Sequence, residues 1–292
     1  MSNYSIVSDD ISILGESPIW DEIYQRLYWV DIESKRLHAW SFLDNKKLEW
    51  NFNSRICSIS LTKNNEELIC AFDKFFAFFN ITTQKVTKLI NQTNLPENVR
   101  FNDGKTDGYG RFWCGTMSES NPSKPEGAIY LLDNNLNIHK IIKGIHISNS
   151  ITASPDNKYI YYADTFKKKI YKTNLAQDIS YIRAAEIFVD NTDLKGFPDG
   201  STIDINGYLW NAEWNGGQVV NYDLNGRLIN TIKTPMKRPT CCVFGGKNMN
   251  ILYITSALEA GDIEGNVSGK TIAINTDTVG TYSNRFIDSQ LK

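Results

Sequence analysis

The chain lacks most of the short signatures by which enzymes and targeted proteins announce themselves. There is no GxSxG elbow, no Walker A loop, no HExxH pair and no GxGxxG between a strand and a helix, so serine hydrolase, P-loop, zincin and Rossmann chemistries lose their usual residues. Histidine is scarce, with only His38, His139 and His146, which argues against a triad or an imidazole-based hydrolase. The five cysteines (Cys57, Cys70, Cys114, Cys241, Cys242) are odd in number and show no CxxC spacing. They read as buried, reduced, small hydrophobes. No apolar run approaches the roughly 18 residues of a membrane span, and the opening MSNYSIVSDD has neither a basic n-region nor a long apolar core. A cytoplasmic, soluble protein is expected. A net charge of −2 with scattered cations leaves no basic footprint for nucleic acid, and the trio Lys167-Lys168-Lys169 reads as a solvated hairpin turn. Sustained helical periodicity is absent as well.

What is present is a repeat. Turns built on Asp, Asn or Gly are followed by apolar and aromatic strands, a short polar turn and a second strand. Clear copies are DEIYQRLYWVDIESKRLHAW from Asp21, PDNKYIYYADTFKKKIYKTN from Pro155 and DINGYLWNAEWNGGQVVNYDL from Asp204. With Asp21, Lys63, Asp107, Pro155, Asp204 and Gly245 as markers, the steps are 42, 44, 48, 49 and 41 residues. That period belongs to four-stranded propeller blades. Six blades consume nearly the whole chain, so the expected fold is an all-β, six-bladed β-propeller forming a single domain over 1–292. An N-terminal strand, Tyr4 to Val7 or Ile11 to Leu14, is expected to pair with the last blade, since closure removes exposed sheet edges.

Four polar residues share one step of this repeat. Glu16, Asn102, Asn149 and Asp199 each stand eleven residues before a core residue: Leu27, Trp113, Ile160 and Trp210. If each blade's innermost strand borders a central channel, the four side chains crowd one end of it. Two carboxylates in a concave, partly desolvated place repel each other unless a cation intervenes. All-oxygen ligands favour Ca²⁺, Mg²⁺ or Mn²⁺, with Zn²⁺ or Fe²⁺ open where availability dictates. Ordinary turn chemistry is the competing explanation for Asp-Gly and Asn-Asp-Gly.

At these residues the chain resembles the regucalcin/gluconolactonase (senescence marker protein) family of six-bladed propellers. The motifs are LGESPIWD at 14–21, RFNDGKTDGYGRFWCGTM at 100–117, ISNSITASPD at 147–156, FPDGSTIDINGYLWNAEWNGGQV at 197–219, and RPTCCVFGG followed by LYITSA at 238–257. The resemblance implies that Glu16, Asn149 and Asp199 ligate one divalent metal and that Arg100 and Asn102 hold a sugar lactone. It also implies that Asp199 serves as ligand and catalytic base together. The family's Asn-Gly reads Asn149-Ser150 here. Its acidic substrate contact after GTM aligns with Ser120, one residue past Glu119, which is the nearest candidate. The expected activity is metal-dependent hydrolysis of an aldonolactone, such as glucono-, arabino- or xylonolactone, to the aldonic acid, by a monomer or weak homodimer. Two alternatives remain at this stage: a calcium-binding regulatory propeller without turnover, and an interaction scaffold, suggested by Leu27-Tyr28-Trp29-Val30-Asp31.

Overall fold

Aspartates at the turns set the blades. Asp107 Oδ1 accepts the N–H groups of Tyr109 (2.9 Å) and Arg111 (3.0 Å), while Oδ2 accepts Trp113 Nε1 at 2.8 Å. Asp204 repeats the device, taking the N–H groups of Asn206 and Tyr208 on Oδ1 and Trp210 Nε1 on Oδ2 at 2.9 Å. Each carboxylate thus closes a tight turn and pins a core tryptophan on the next strand.

A computed structural model describes residues 4–89, 93–259 and 267–290. It is a six-bladed β-propeller of four-stranded antiparallel sheets. After β1 (Tyr4–Ser8), one blade comprises β2 (Gly15–Asp21), β3 (Arg26–Asp31), β4 (Arg36–Ser41) and β5 (Lys46–Asn51). The next has β6 (Ile56–Leu61), β7 (Glu67–Phe72), β8 (Phe76–Asn80) and β9 (Val86–Lys88). Then come β10 (Val99–Thr106), β11 (Phe112–Ser118), β12 (Gly127–Leu132) and β13 (Ile138–Ile145), and β14 (Ser148–Ala153), β15 (Tyr159–Asp164), β16 (Lys169–Asn174) and β17 (Glu186–Asp190). The fifth blade holds β18 (Phe197–Ile203), β19 (Leu209–Trp214), β20 (Gln218–Tyr222) and β21 (Leu228–Lys233). The last contains β22 (Pro239–Gly245), β23 (Ile251–Ser256) and β24 (Thr271–Asn275), and its fourth strand is β1, with Tyr4 opposite Ile274 and Ile6 opposite Ile272. The closing strand is therefore the first of the two segments expected from sequence. Among the described residues no helix is long and apolar enough to cross a membrane. All five cysteines are buried, and none is in a disulfide.

The strands group into two compact units, one of residues 1–55 and 191–282 and the other of 56–190 and 283–292. In the first, β22 lies between β18 and β2; in the second, β10 lies between β6 and β14. The core of the first includes Trp20, Leu27, Trp29, Trp210, Phe244 and Tyr253, with Trp20 stacked on Tyr253 at 5.5 Å. The second packs Trp113, Ile129, Leu131, Ile151, Ile160 and Tyr162. The four residues at the eleven-residue step thus all serve as core, each fully buried side chain contributing about 1.5–3 kcal/mol. The tail from Ser283 binds within the second unit: Phe286 N donates to Leu61 O (2.7 Å), Ile287 N to Gly110 O (2.9 Å) and Ser289 N to Asn134 O (2.8 Å).

Candidate functional site

Every first strand carries one extra residue relative to its partner. The pairing slips between Glu16 and Ile19, Ile56 and Ser58, Phe101 and Gly104, Asn149 and Thr152, Pro198 and Ser201, and Pro239 and Cys242. A bulge of this kind re-aims side chains and raises local twist. The four polar residues singled out by spacing all fall at these bulges, in two arrangements. Glu16 and Asn149 are the last paired residues, opposite Val30 and Ala163, and the next residue takes a left-handed φ: Ser17 at 49° and Ser150 at 57°. Asn102 and Asp199 lie one step further, inside the bulge itself. The difference traces to the hairpin turn: Leu27 and Ile160 pair with Trp20 and Ala153, whereas Trp113 and Trp210 pair one residue further back, with Lys105 and Thr202. Asp31, ending β3, accepts the N–H groups of Ile13 (2.9 Å) and Leu14 (3.1 Å), and Asp164, ending β15, accepts those of His146 (3.3 Å) and Ile147 (3.5 Å). His146 is tied to the same carboxylate through Nδ1 at 2.8 Å and stacks on Phe166, so it is a buried structural histidine.

In the unit of residues 56–190, a continuous polar relay links three of the expected site residues. Arg100 Nη1 donates to Phe101 O (2.8 Å) and to Asn102 Oδ1 (2.7 Å). Asn102 Nδ2 donates to Ser148 O (3.0 Å) and to Asn149 Oδ1 (2.9 Å), and Asn149 Nδ2 donates to Thr165 Oγ1 (2.9 Å). Arginine can only donate, so the direction of the whole chain is set from that end. Asn102 must face Arg100 with its oxygen, and Asn149 must face Asn102 with its own. Both N–H groups of Asn102 are consumed, which leaves an Oδ1 lone pair as its free valence. Asn149 Oδ1 likewise keeps one lone pair. Arg100 Nε has no hydrogen-bond partner; Glu119 Oε1 stands 3.5 Å from it as an ion pair, on a side chain one-third exposed.

The loop that carries Glu119 is tied at its base. Glu119 N donates to Asn98 O (2.8 Å), and Glu126 Oε2 accepts from Ser118 Oγ (2.8 Å) and Asn98 Nδ2 (2.7 Å). Asp103, beside Asn102, is buried and accepts Ile151 N at 2.8 Å; burial raises its carboxyl above the ordinary 3.8. Sequence spacing missed Asp103 and Thr165. Asp103 was within reach, as the residue after Asn102 in RFNDGK, whereas Thr165 has no signal of its own because the β14–β15 hairpin delivers it.

Glu16 and Asp199 belong to the other unit, and both are buried. Glu16 Oε2 accepts Ser17 N at 3.1 Å. Asp199 sits in a strand held from two sides. Asn211 Nδ2 donates to Asp199 O at 2.9 Å, and Gly200 lies so close to β22 that a Cβ there would stand 2.2 Å from Cys241 Sγ. Only glycine permits that approach.

Comparison with known proteins adds four findings. Residues 14–258 match the family model described as SMP-30/gluconolactonase/LRE-like region. A Bacillus subtilis protein, provisionally named sugar lactone lactonase YvrE, is 34% identical over 254 residues, covering 86% of each chain. Human regucalcin is 32% identical over 256 residues, 86% of this chain and 85% of its own. Among solved structures, the calcium-binding protein regucalcin from Agrobacterium tumefaciens superposes with a TM-score of 0.90 at 28% identity, covering 98% of this chain and 97% of that one.

Proposed function

The chain belongs to the SMP-30/gluconolactonase/LRE-like family, and from that membership we propose that it hydrolyses a sugar lactone with the help of one divalent metal ion. The substrate class is an aldonolactone of five or six ring atoms, opened to its aldonic acid. Glu16, Asn149 and Asp199 are the proposed ligands.

The observation that carries this reading is the relay from Arg100 to Thr165. It commits the Asn149 amide to present oxygen with one lone pair to spare, the form in which an asparagine ligates a hard cation. Glu16 and Asp199 support it as buried carboxylates at the corresponding bulges of their own strands. The donors are all oxygen, which suits Ca²⁺, Mg²⁺ or Mn²⁺ and is compatible with Zn²⁺ or Fe²⁺. Bound there, the ion supplies Lewis acidity toward the lactone carbonyl.

The remaining chemistry belongs to the side chains. Asp199 acts as general base: its carboxylate takes a proton from the attacking water as the new C–O bond forms, and returns it to the ring oxygen when the ring C–O bond breaks. Arg100 contributes a fixed cation that orients a polyhydroxylated ring. Asn102, with both N–H groups committed, receives a sugar hydroxyl on its remaining Oδ1 lone pair. Glu119 accepts a second hydroxyl from the exposed side. A lactone is a reactive ester, so no nucleophilic serine or cysteine is needed.

The test is proton release from glucono-, galactono-, arabino- and xylonolactone, using chelated protein, protein reloaded with each metal, and Asp199→Ala. Hydrolysis restored by metal and lost in the variant is the expected result. Metal binding with no lactone opened above its spontaneous rate would overturn the proposal in favour of a calcium-binding role.

A further inference from the structure

A second polar cluster lies on the outer strands of the β2–β5 blade, two strands away from Glu16. His38 in β4 pairs with Glu49 in β5, and Asp10 arrives from the segment that follows the closing strand β1. His38 Nδ1 is 3.5 Å from Glu49 Oε2 and 4.0 Å from Asp10 Oδ2, and it makes no hydrogen bond although the residue is only 2% exposed. One ligand atom from each of the three residues lies within 4.8 Å of the others. The imidazole is stacked on Trp29 at 5.2 Å and 15°, and Asp10 Oδ2 accepts from Ser8 Oγ, so two of the three groups are held in place by packing and hydrogen bonding.

This arrangement is electrostatically unfavourable without a cation. Two carboxylates converge on one imidazole nitrogen, and like charges so placed repel each other. Lys47 supplies the present compensation: its ammonium pairs with Asp10 Oδ1 and lies 3.1 Å from Glu49 Oε2. Its side chain is 35% exposed, so it can swing into solvent without backbone movement. Ligands about 2.0–2.2 Å from a tetrahedral ion stand roughly 3.4 Å apart; His38 and Glu49 already have that spacing at 3.5 Å, while Asp10, at 4.0 Å from His38, has to move in. Burial lowers the imidazole's proton affinity below its ordinary value of 6.5, which favours the ligating neutral form near pH 7.

We propose that Asp10, His38 and Glu49 form a binding site for a borderline divalent ion of the Zn²⁺ type, for which the Lys47 ammonium is the competing occupant. The imidazole selects Zn²⁺, Co²⁺ or Ni²⁺ over Ca²⁺. An ion there ties the segment following β1, which completes the β22–β24 sheet, to the outer strands of the β2–β5 blade. Its role is a clamp on the closing strand, independent of lactone turnover.

Because the chain has only three histidines, long-range ¹H–¹⁵N NMR spectra resolve each ring. Chelator-stripped wild type and Lys47→Met are titrated with Zn²⁺ and with Ca²⁺, with the His38 signals assigned by their loss in His38→Gln. The expected result is a large shift of His38 Nδ1 with Zn²⁺ and none with Ca²⁺, and Zn²⁺ binding about tenfold tighter or more in Lys47→Met, where the competing charge is gone. Adding Glu49→Gln, a change at a part-exposed side chain, must weaken that binding and supplies a ligand test if His38→Gln does not fold. An unmoved His38 Nδ1 at millimolar Zn²⁺ in Lys47→Met, or binding unaffected by Glu49→Gln, overturns the site.

Discussion

Replacing Gly200 with alanine tests whether the position of Asp199 depends on the closeness of β18 and β22. The new methyl would stand 2.2 Å from Cys241 Sγ, 2.5 Å from its Cβ and 2.9 Å from its Cα. Non-bonded carbon atoms settle near 3.5–4.0 Å apart, roughly, so the nearest approach falls short by more than about 1 Å. Rotating the Cys241 side chain relieves the clash with sulfur only; the clashes with its Cβ and its backbone are relieved only if the strands part. Overpacking of this kind costs about 1–3 kcal/mol. A shift near 1 Å in a catalytic group costs about 10²-fold in rate. Gly200→Ala is therefore expected to lower the thermal midpoint by several degrees and lactone turnover by about two orders of magnitude. The double variant Gly200→Ala/Cys241→Gly removes the clashes with the side chain and leaves the 2.9 Å one, so it should recover most of both losses. Calorimetry and the lactone assay read the two effects separately. Wild-type stability and turnover in Gly200→Ala would refute the argument, and so would a loss that Cys241→Gly does not relieve.

Three further expectations follow from particular contacts. Thr165→Val preserves shape but strips the acceptor from Asn149 Nδ2, leaving a buried amide donor unmet; stability should fall by about 1–3 kcal/mol in urea unfolding, with weaker metal binding by titration calorimetry. Burial raises the Asp103 carboxyl above 3.8, so between its ordinary and its raised value the folded state holds a proton that the unfolded state has released, and stability falls as pH rises through that window. Asp103→Asn should then gain stability over wild type at neutral pH, with the gain shrinking as pH drops below the ordinary aspartate range; unfolding curves across pH that differ by a constant would contradict it. Deleting the chain through Ser8 bares the edge of β24, and concentration-dependent self-association by light scattering is the expected outcome.

The blades were legible because a 40-odd-residue period and Asp-turn-Trp spacing are local properties of the chain, visible at Asp107 and Asp204 from the order of residues alone. The shared step of Glu16, Asn102, Asn149 and Asp199 was legible for the same reason. Their division into two bulge arrangements was not, since it depends on how each hairpin turn offsets the paired strands, with Leu27 and Ile160 opposite Trp20 and Ala153 but Trp113 and Trp210 one residue further back, opposite Lys105 and Thr202. Ser150 illustrates the limit well. The family's glycine at that step makes sense once φ is 57°, a backbone region where a side chain costs about 1–2 kcal/mol, yet nothing in ISNSIT reports the angle. Thr165 and the Asp10, His38 and Glu49 cluster were hidden because tertiary pairing assembles them from residues that form no local pattern.

The pairing of Tyr4 with Ile274 bears on the order in which the protein can be assembled at the ribosome. Of the described strands β1 comes first and pairs with the last, β24, so until β24 is made β1 has no partner to add to, and the blade it finishes waits. Within residues 56–190 no strand waits in this way: three blades there run consecutively along the chain and have all their strands before β24 is made. The nascent protein can thus hold three completed sheets while the sheet shared by β1 and β24 is still incomplete. That interval is when an unpaired β1 is most open to capture by another chain.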